Sequence, residues 1–355
     1  MTIFLVSPKM SNPNGGIAVW TDIYISECEK NGITPLVLNI APLGKRAENG
    51  SAKRSIYDEF VRTKNIFRDL RKMLKNHSPD VVHLNSSCVR FGIIRDYFIA
   101  RKIRNKKIDA KIIAHFHCDI PMQIGNKLSR HYLSRLARVS DENFVLCENS
   151  KSYLEREFGA SSVKVPNFVS DKLVISQNKE INSELKKAFF VGRVSVEKGA
   201  RELYELARKN ADVTFVLAGA ISEDVKCWEK PDNVQLLGVI PHSKVIEHMD
   251  EADVFVFPSK TEGFSMALAE AMARGLPSIA TDVGANMDML ENSGGVVCES
   301  NNIDMLLEGF SSIRDFDIRS NMSLWCVNKV RTQYVSGNVV AMFFNHYNRL
   351  LGKNR

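Results

Sequence analysis

The chain has 355 residues, 44% of them hydrophobic and 25% charged, with a formal net charge of +7. That is ordinary globular composition and excludes a collagenous, low-complexity or disordered protein. No run reaches the roughly 18 apolar residues of a membrane-spanning helix. Seven cysteines, none spaced C-x-x-C, read as reduced thiols of a cytosolic protein.

The length suggests two domains. The opening Met1–Ser7 has no basic leader and no small-residue cleavage site, so it reads as a first strand, Ile3–Ser7, and not as a signal peptide. Further strands are expected at 36–40, 81–84, 111–115 and 143–146, with helices near 17–30, 57–76, 92–104, 126–138 and 150–158. A polar stretch over 171–185 reads as a linker. The pattern then restarts, with strands at 188–191, 213–218, 234–236, 254–258, 278–281 and 296–297. Helices fall near 198–209, 243–250, 265–274 and 286–291, and 336–351 is again amphipathic. Strict alternation of this kind predicts an α/β protein with parallel sheets covered by helices. Ligands of such sheets bind beyond the carboxyl ends of the strands, so motifs just after strands carry the chemistry.

Asn12-Pro13-Asn14-Gly15-Gly16 follows the first strand. Its glycines let a ligand approach the backbone where a helix begins. Gly192-Arg193 and Glu197-Lys198-Gly199 follow the strand at 188–191. Arg193 can fork onto phosphate oxygens and Lys198 adds a point charge. The third motif runs from Phe257 to Pro277. Glu262 and Gly263 lie in its loop, and the N–H groups of Phe264, Ser265 and Met266 open a helix that suits a diphosphate. Glu270 stands eight positions beyond Glu262, within about 12 Å by helical rise. Its small neighbours Ala267, Ala269, Ala271 and Ala273 would bring it against backbone, where a bare carboxylate needs a partner. His115 and His117 share one strand face. No third ligand is spaced for zinc beside them. Asp315-Phe316-Asp317 matches a metal-binding D-x-D, but it lies at a helix junction. Neither a metal nor another cofactor is expected.

The third motif resembles the E-x7-E signature of retaining GT-B glycosyltransferases, the family that includes sucrose synthase and phosphatidylinositol mannosyltransferase. Gly15-Gly16 resembles its N-terminal glycine loop, and Phe116-His117 its strand-end histidine. Val165-Pro166-Asn167 resembles its I-P-N-G segment, with Phe168 replacing glycine. Gly192-Arg193 and Glu197-Lys198-Gly199 resemble its G-R-x-x-x-E-K-G. The resemblance implies two Rossmann-like domains facing across a cleft. Residues 1–168 would form an acceptor-binding domain, with 336–355 crossing back onto it, and 169–335 a nucleotide-sugar-binding domain. It further implies that Glu262 binds donor-sugar hydroxyls and Glu270 the ribose. Arg193 and Lys198 would neutralise the leaving diphosphate. The amides of Gly16 and of Phe264 to Met266 would complete that cradle, and His117 would sit near the sugar.

Residues 1–170 carry 27 Lys and Arg against 16 Asp and Glu, and the remainder 21 against 25. A basic front half is expected to face something anionic. Its dense regions run from Lys45 to Lys75 and from Arg101 to Lys107. In 127–138, the stripe Leu128, Tyr132, Leu133 and Leu136 beside four cations suits an anionic membrane surface. The expected function is transfer of a hexose, from a UDP-sugar by preference, to a saccharide or lipid-linked saccharide in lipopolysaccharide O-antigen or capsule synthesis. The place is the cytoplasm, at the inner face of the plasma membrane. A sugar-nucleotide epimerase or phosphorylase shares the fold. A nucleic-acid binder is disfavoured, because the basic regions hold few aromatics to stack bases.

Overall fold

The computed structural model describes residues 1–10, 16–42, 56–106, 108–291 and 293–353. Contacts divide the chain into one unit of Met1–Asn167 with Ser336–Arg355, and another of Phe168–Val335.

The first unit holds a parallel sheet of β1 (Ile3–Ser7), β2 (Leu36–Asn39), β3 (Val81–Ser86), β4 (Lys111–Phe116), β5 (Glu142–Val145) and β6 (Val163–Lys164). Their order is β2-β1-β3-β4-β5-β6. Every residue of β1 and β3 is buried, as helices on both faces require. Alternation along β3 sends Val82 and Leu84 into an apolar cluster with Ile93 and Leu133. It sends His83 to the other face, beneath Trp20 of the helix Gly16–Lys30 and Phe343 of the last helix, Ser336–Leu350. That helix therefore completes the core of the unit in which the chain began. Tyr347 is fully buried there, its hydroxyl against Tyr24 and the ring of His83.

The second unit holds β7 (Lys187–Val191), β8 (Thr214–Ala218), β9 (Val234–Gly238), β10 (Val254–Phe257), β11 (Ser278–Thr281) and β12 (Gly295–Cys298). The order is β12-β11-β10-β7-β8-β9, again parallel. Counted within the unit this is the doubly wound dinucleotide-binding order, whose direction reverses between its first and fourth strands, here β7 and β10. In the first sheet the reversal falls between β1 and β3. At each reversal neighbouring loops diverge and leave a crevice for a ligand.

Two helices, Ile303–Ser312 and Phe316–Lys329, were not expected from the pattern. Asp315 caps the second by accepting from the N–H of Ile318 at 2.9 Å, so the D-x-D is a helix start. The stretch 174–186 has no regular element, yet it is pinned. The buried Arg319 guanidinium donates to the carbonyls of Asn182 and Ser183, and Asn182 donates to Asp253. Among the described residues, no helix is long and apolar enough to cross a membrane.

The helix Lys127–Val139 differs from expectation. Leu133 and Leu136 lie in the apolar cluster, Arg130 pairs with Glu157, and Arg135 donates to the hydroxyl of Tyr97. Most of its apolar stripe faces the core, and Leu128 alone of the four residues is exposed.

Candidate active site

In the second unit, the loops after β7 and β10 meet at the reversal point. The amide of Lys260 donates to the carbonyl of Glu197 at 2.9 Å. Lys198 Nζ donates to Glu262 Oε1 at 2.6 Å and to the carbonyl of Thr261 at 3.1 Å. Lys260 Nζ reaches Glu202 Oε1 at 3.0 Å. Two motifs more than sixty residues apart thus form one charged surface.

Backbone conformation makes this approach possible. Gly199 has φ +81° and ends the short turn Val196–Lys198. A Cβ there would lie 2.2 Å from the carbonyl oxygen of Pro258, so only glycine lets the loops touch. The turn after Glu262 is held from a third loop. Ala285 N–H donates to the carbonyl of Gly263, and Asn286 joins Ser265 Oγ to the carbonyl of Thr281. Because Ser265 bonds to Asn286, it supplies no side-chain cap to the helix Met266–Ala273. Amides of that first turn have no partner further back in the helix. Phe264 is buried and meets Tyr334 edge-on, which fixes the loop that carries Glu262 and Gly263.

Arg193 is exposed beside Gly192 at the end of β7. Its guanidinium has no hydrogen-bond or ion-pair partner among the described residues. Lys198 is half-buried and held by Glu262. One cation is therefore free for an anion, and the other shares its charge with the carboxylate beside it.

Glu270 has the partner its setting demanded. His242 Nε2 lies 3.1 Å from Glu270 Oε1, contributed by the start of the helix His242–Glu251 just after β9. The hydrogen bond to Glu270 raises the His242 pKa above its ordinary value, against partial burial. This pair contributes stability that is full below about pH 6.5 and lost as pH rises through the raised value. In an NMR titration His242 is expected to keep its proton to higher pH than an unperturbed histidine, and Glu270→Gln to reverse that. An identical midpoint in both proteins would remove the pairing. Sequence reasoning missed His242; its signal was Pro241-His242 at a strand end.

In the first unit, Asn12 to Gly15 lie outside the described residues, as do Lys45, Arg46, Lys53, Arg54 and Lys107 of the basic regions. Gly16 is the first residue of its helix. His117 sits one residue beyond β4, and a chain of hydrogen bonds fixes its tautomer. Thr21 Oγ1 donates its proton to the carbonyl of Ile17 at 2.7 Å, so it accepts from Ser7 Oγ at 2.6 Å. Ser7 then accepts from Asn85 Nδ2 at 2.9 Å. Asn85 Oδ1 is left to accept from His117 Nε2–H, also at 2.9 Å. The lone pair of His117 is thereby placed on the buried Nδ1, and the side chain of Asn167 also acts on the ring, opposing the effect of burial on its pKa. Burial, reinforced by the neighbouring His83, pushes the His117 pKa down to about 3, so the ring is neutral at physiological pH. His83 is likewise held at about 3 by burial, and His115 well below its ordinary value. Among the described residues, no three His, Cys, Asp or Glu side chains are grouped to hold a metal ion.

Both crevices thus hold fixed polar groups at the carboxyl ends of parallel strands. Residues 171–319 match the sequence model of Glycosyl transferases group 1, and residues 14–173 that of Glycosyltransferase Family 4. The chain belongs to the group 1 glycosyltransferases of the GT-B fold, and it is a glycosyl-transferring enzyme. It is 27% identical over 306 residues to an uncharacterized 41.2 kDa protein in the cps region of Klebsiella pneumoniae, covering 76% of this chain and 83% of that protein. It is also 27% identical to the UDP-Gal:alpha-D-GlcNAc-diphosphoundecaprenol alpha-1,3-galactosyltransferase of Escherichia coli, covering 74% of this chain and 73% of that one. The solved sucrose-phosphate synthase of Thermosynechococcus elongatus shares the fold, with a TM-score of 0.78 over 99% of this chain and 100% of that one at 15% identity.

Proposed function

We propose that this enzyme transfers a hexose, with retention at the anomeric carbon, from a UDP-sugar to a lipid-linked saccharide during bacterial surface-polysaccharide synthesis. The observation that carries this reading is the meeting of Lys198 with Glu262 just before a helix start where the second sheet reverses direction, with the exposed Arg193 on the neighbouring strand end. A diphosphate is the ligand such a place suits: free amides, a helix dipole and an unpaired guanidinium all favour negative charge. The Escherichia coli relative supports the donor and acceptor classes, and the Klebsiella relative supports the pathway.

Breaking the bond from the anomeric carbon to the diphosphate oxygen leaves the electron pair on that oxygen. Arg193 and Lys198, with the amides of Phe264 to Met266, stabilise the charge that develops there. The chain's own cations carry this task without a metal. The acceptor hydroxyl attacks from the face the diphosphate leaves and passes its proton to a phosphate oxygen. Glu262 binds hydroxyls of the donor sugar, and Lys198 orients it. Glu270 takes the ribose hydroxyls and exchanges His242 for them. His117, neutral and hydrogen-bonded to Asn85, belongs to the saccharide-binding side of the first unit. Work on a lipid-linked acceptor places the enzyme at the inner face of the plasma membrane.

A melting series with UDP, GDP, ADP and no nucleotide tests the donor. A ligand at 100 times its Kd adds about 2.7 kcal/mol, or roughly 5–10 °C for a unit of this size. UDP is expected to give the largest rise, and Arg193→Ala to abolish most of it. No rise with any nucleotide, or an equal rise in the variant, would overturn the reading.

A further inference from the structure

Within the first unit, the ends of β1, β2 and β3 open on a cavity of about 550 Å³. Asn85 and Ser87 lie on one side of it. The helices Ile56–Asn76 and Arg90–Asn105 supply Phe60, Phe67, Phe91 and Phe98. Phe60 is 68% exposed and Phe91 55%. Rings left so open around one concavity mark a place where something apolar binds.

The cavity also has a charged side. Arg62 and Arg95 both line it. Arg62 pairs with Glu59 and donates to the carbonyl of Ile40, while Arg95 pairs with the fully buried Asp96. Burial, and then the charge of Arg95, lower the Arg62 pKa, so the two guanidiniums repel each other. Arg62 Nε is buried without a hydrogen-bond partner. A phosphate in the cavity beside both guanidiniums would add charge-assisted hydrogen bonds to the pairs they already make with Glu59 and Asp96. Along the outer face of Ile56–Asn76, the aromatic Tyr57 and Phe60 are followed by exposed Lys64, Arg68, Arg71, Lys72 and Lys75. Aromatic rings beside a row of cations suit a helix lying against anionic lipid.

We propose that this cavity binds the hydrocarbon chain of an anionic lipid, with Arg62 and Arg95 meeting the phosphate at its head. The proposal deepens the acceptor side of the reading above and rests on it, because a transferase acting on a lipid-linked saccharide must hold such a chain or leave it in the bilayer. The chain occupies the space between the two helices, and the saccharide extends toward Asn85 and His117.

Calorimetric titration of the full chain tests it, with farnesyl diphosphate, dihexanoyl phosphatidic acid and inorganic diphosphate as probes and UDP as a separate control. A chain-bearing probe is expected to bind at least tenfold tighter than inorganic diphosphate. The double variant Phe60→Asp, Phe91→Asp, at two exposed positions, is expected to lose that gain and keep its UDP affinity. Stronger binding of the farnesyl probe identifies an isoprenoid chain, and of the diacyl probe a glycerolipid chain; either supports the slot. Equal affinity with and without a chain, or a gain that survives in the double variant, overturns it. Failure of UDP to bind counts against the donor reading alone, since the chain-dependent gain is measured without nucleotide.

Discussion

Lys198→Ala is expected to lower kcat by about 10²–10³-fold, the loss that follows removal of one preorganised group from a developing negative charge. Two roles for Lys198 make different predictions. If it only braces Glu262, to which it donates at 2.6 Å, then Glu262→Gln should cost as much alone, and the double variant no more. If its charge also faces the diphosphate, Lys198→Ala should remain costly when Glu262 is already glutamine. A double-mutant cycle on kcat separates the two. Arg193 needs no such control, because it is exposed and bonded to no described side chain; Arg193→Ala should lose activity without losing stability. Turnover within a few-fold of wild type in both single variants would end the site assignment.

Acid should unfold the first unit before the pH falls far enough to protonate its buried histidines in the folded state. His83, His115 and His117 lie against one another beneath Trp20, with His83 and His117 held at about 3 by burial. In the unfolded chain each recovers a value near 6.5 and takes up a proton as pH falls below it. The unfolded state then binds more protons than the folded one, so stability declines as pH drops through this window. Each group contributes up to about 1.36 kcal/mol per pH unit, and three contribute about 4. Against a typical stability of roughly 5–15 kcal/mol, two or three pH units suffice, which puts unfolding near pH 4. Urea melts at pH 7, 6, 5 and 4, followed by tryptophan fluorescence, measure the slope. His83→Gln, which can still meet the hydroxyl of Tyr347, should make it shallower by about a third. Stability unchanged between pH 7 and pH 5 would show that these rings are not kept neutral.

Most strands were legible because parallel strands buried on both faces are plain apolar runs. Ile3–Ser7 and Ser278–Thr281 occur as expected. β6, at two residues, is too short for any period to register. The glycines and cations of the second unit could be read because their spacing follows the strands. Their pairing could not: Lys198 and Glu262 are 64 residues apart, and contact depends on β7 lying beside β10. Glu270 was expected to need a partner, but His242 comes from another strand end, 28 residues away. The ladder from Thr21 to His117 was invisible for the same reason, since four separate segments contribute to it. In Lys127–Val139 a 3.6-residue stripe looks alike whether it meets lipid or core, and only the packing of Leu133 and Leu136 decides.

The return of the last helix to the first unit dictates an order of assembly. Tyr347, Phe343 and Ser336 fill or bond within a core begun by Trp20, Tyr24 and Glu27, more than three hundred residues earlier. During synthesis the first sheet must wait, with one flank uncovered, until Ser336–Leu350 leaves the ribosome. The inserted unit, Phe168–Val335, has its own sheet and can close first. Loss of the helix Ser336–Leu350 would therefore damage the part made earliest and spare the part made later.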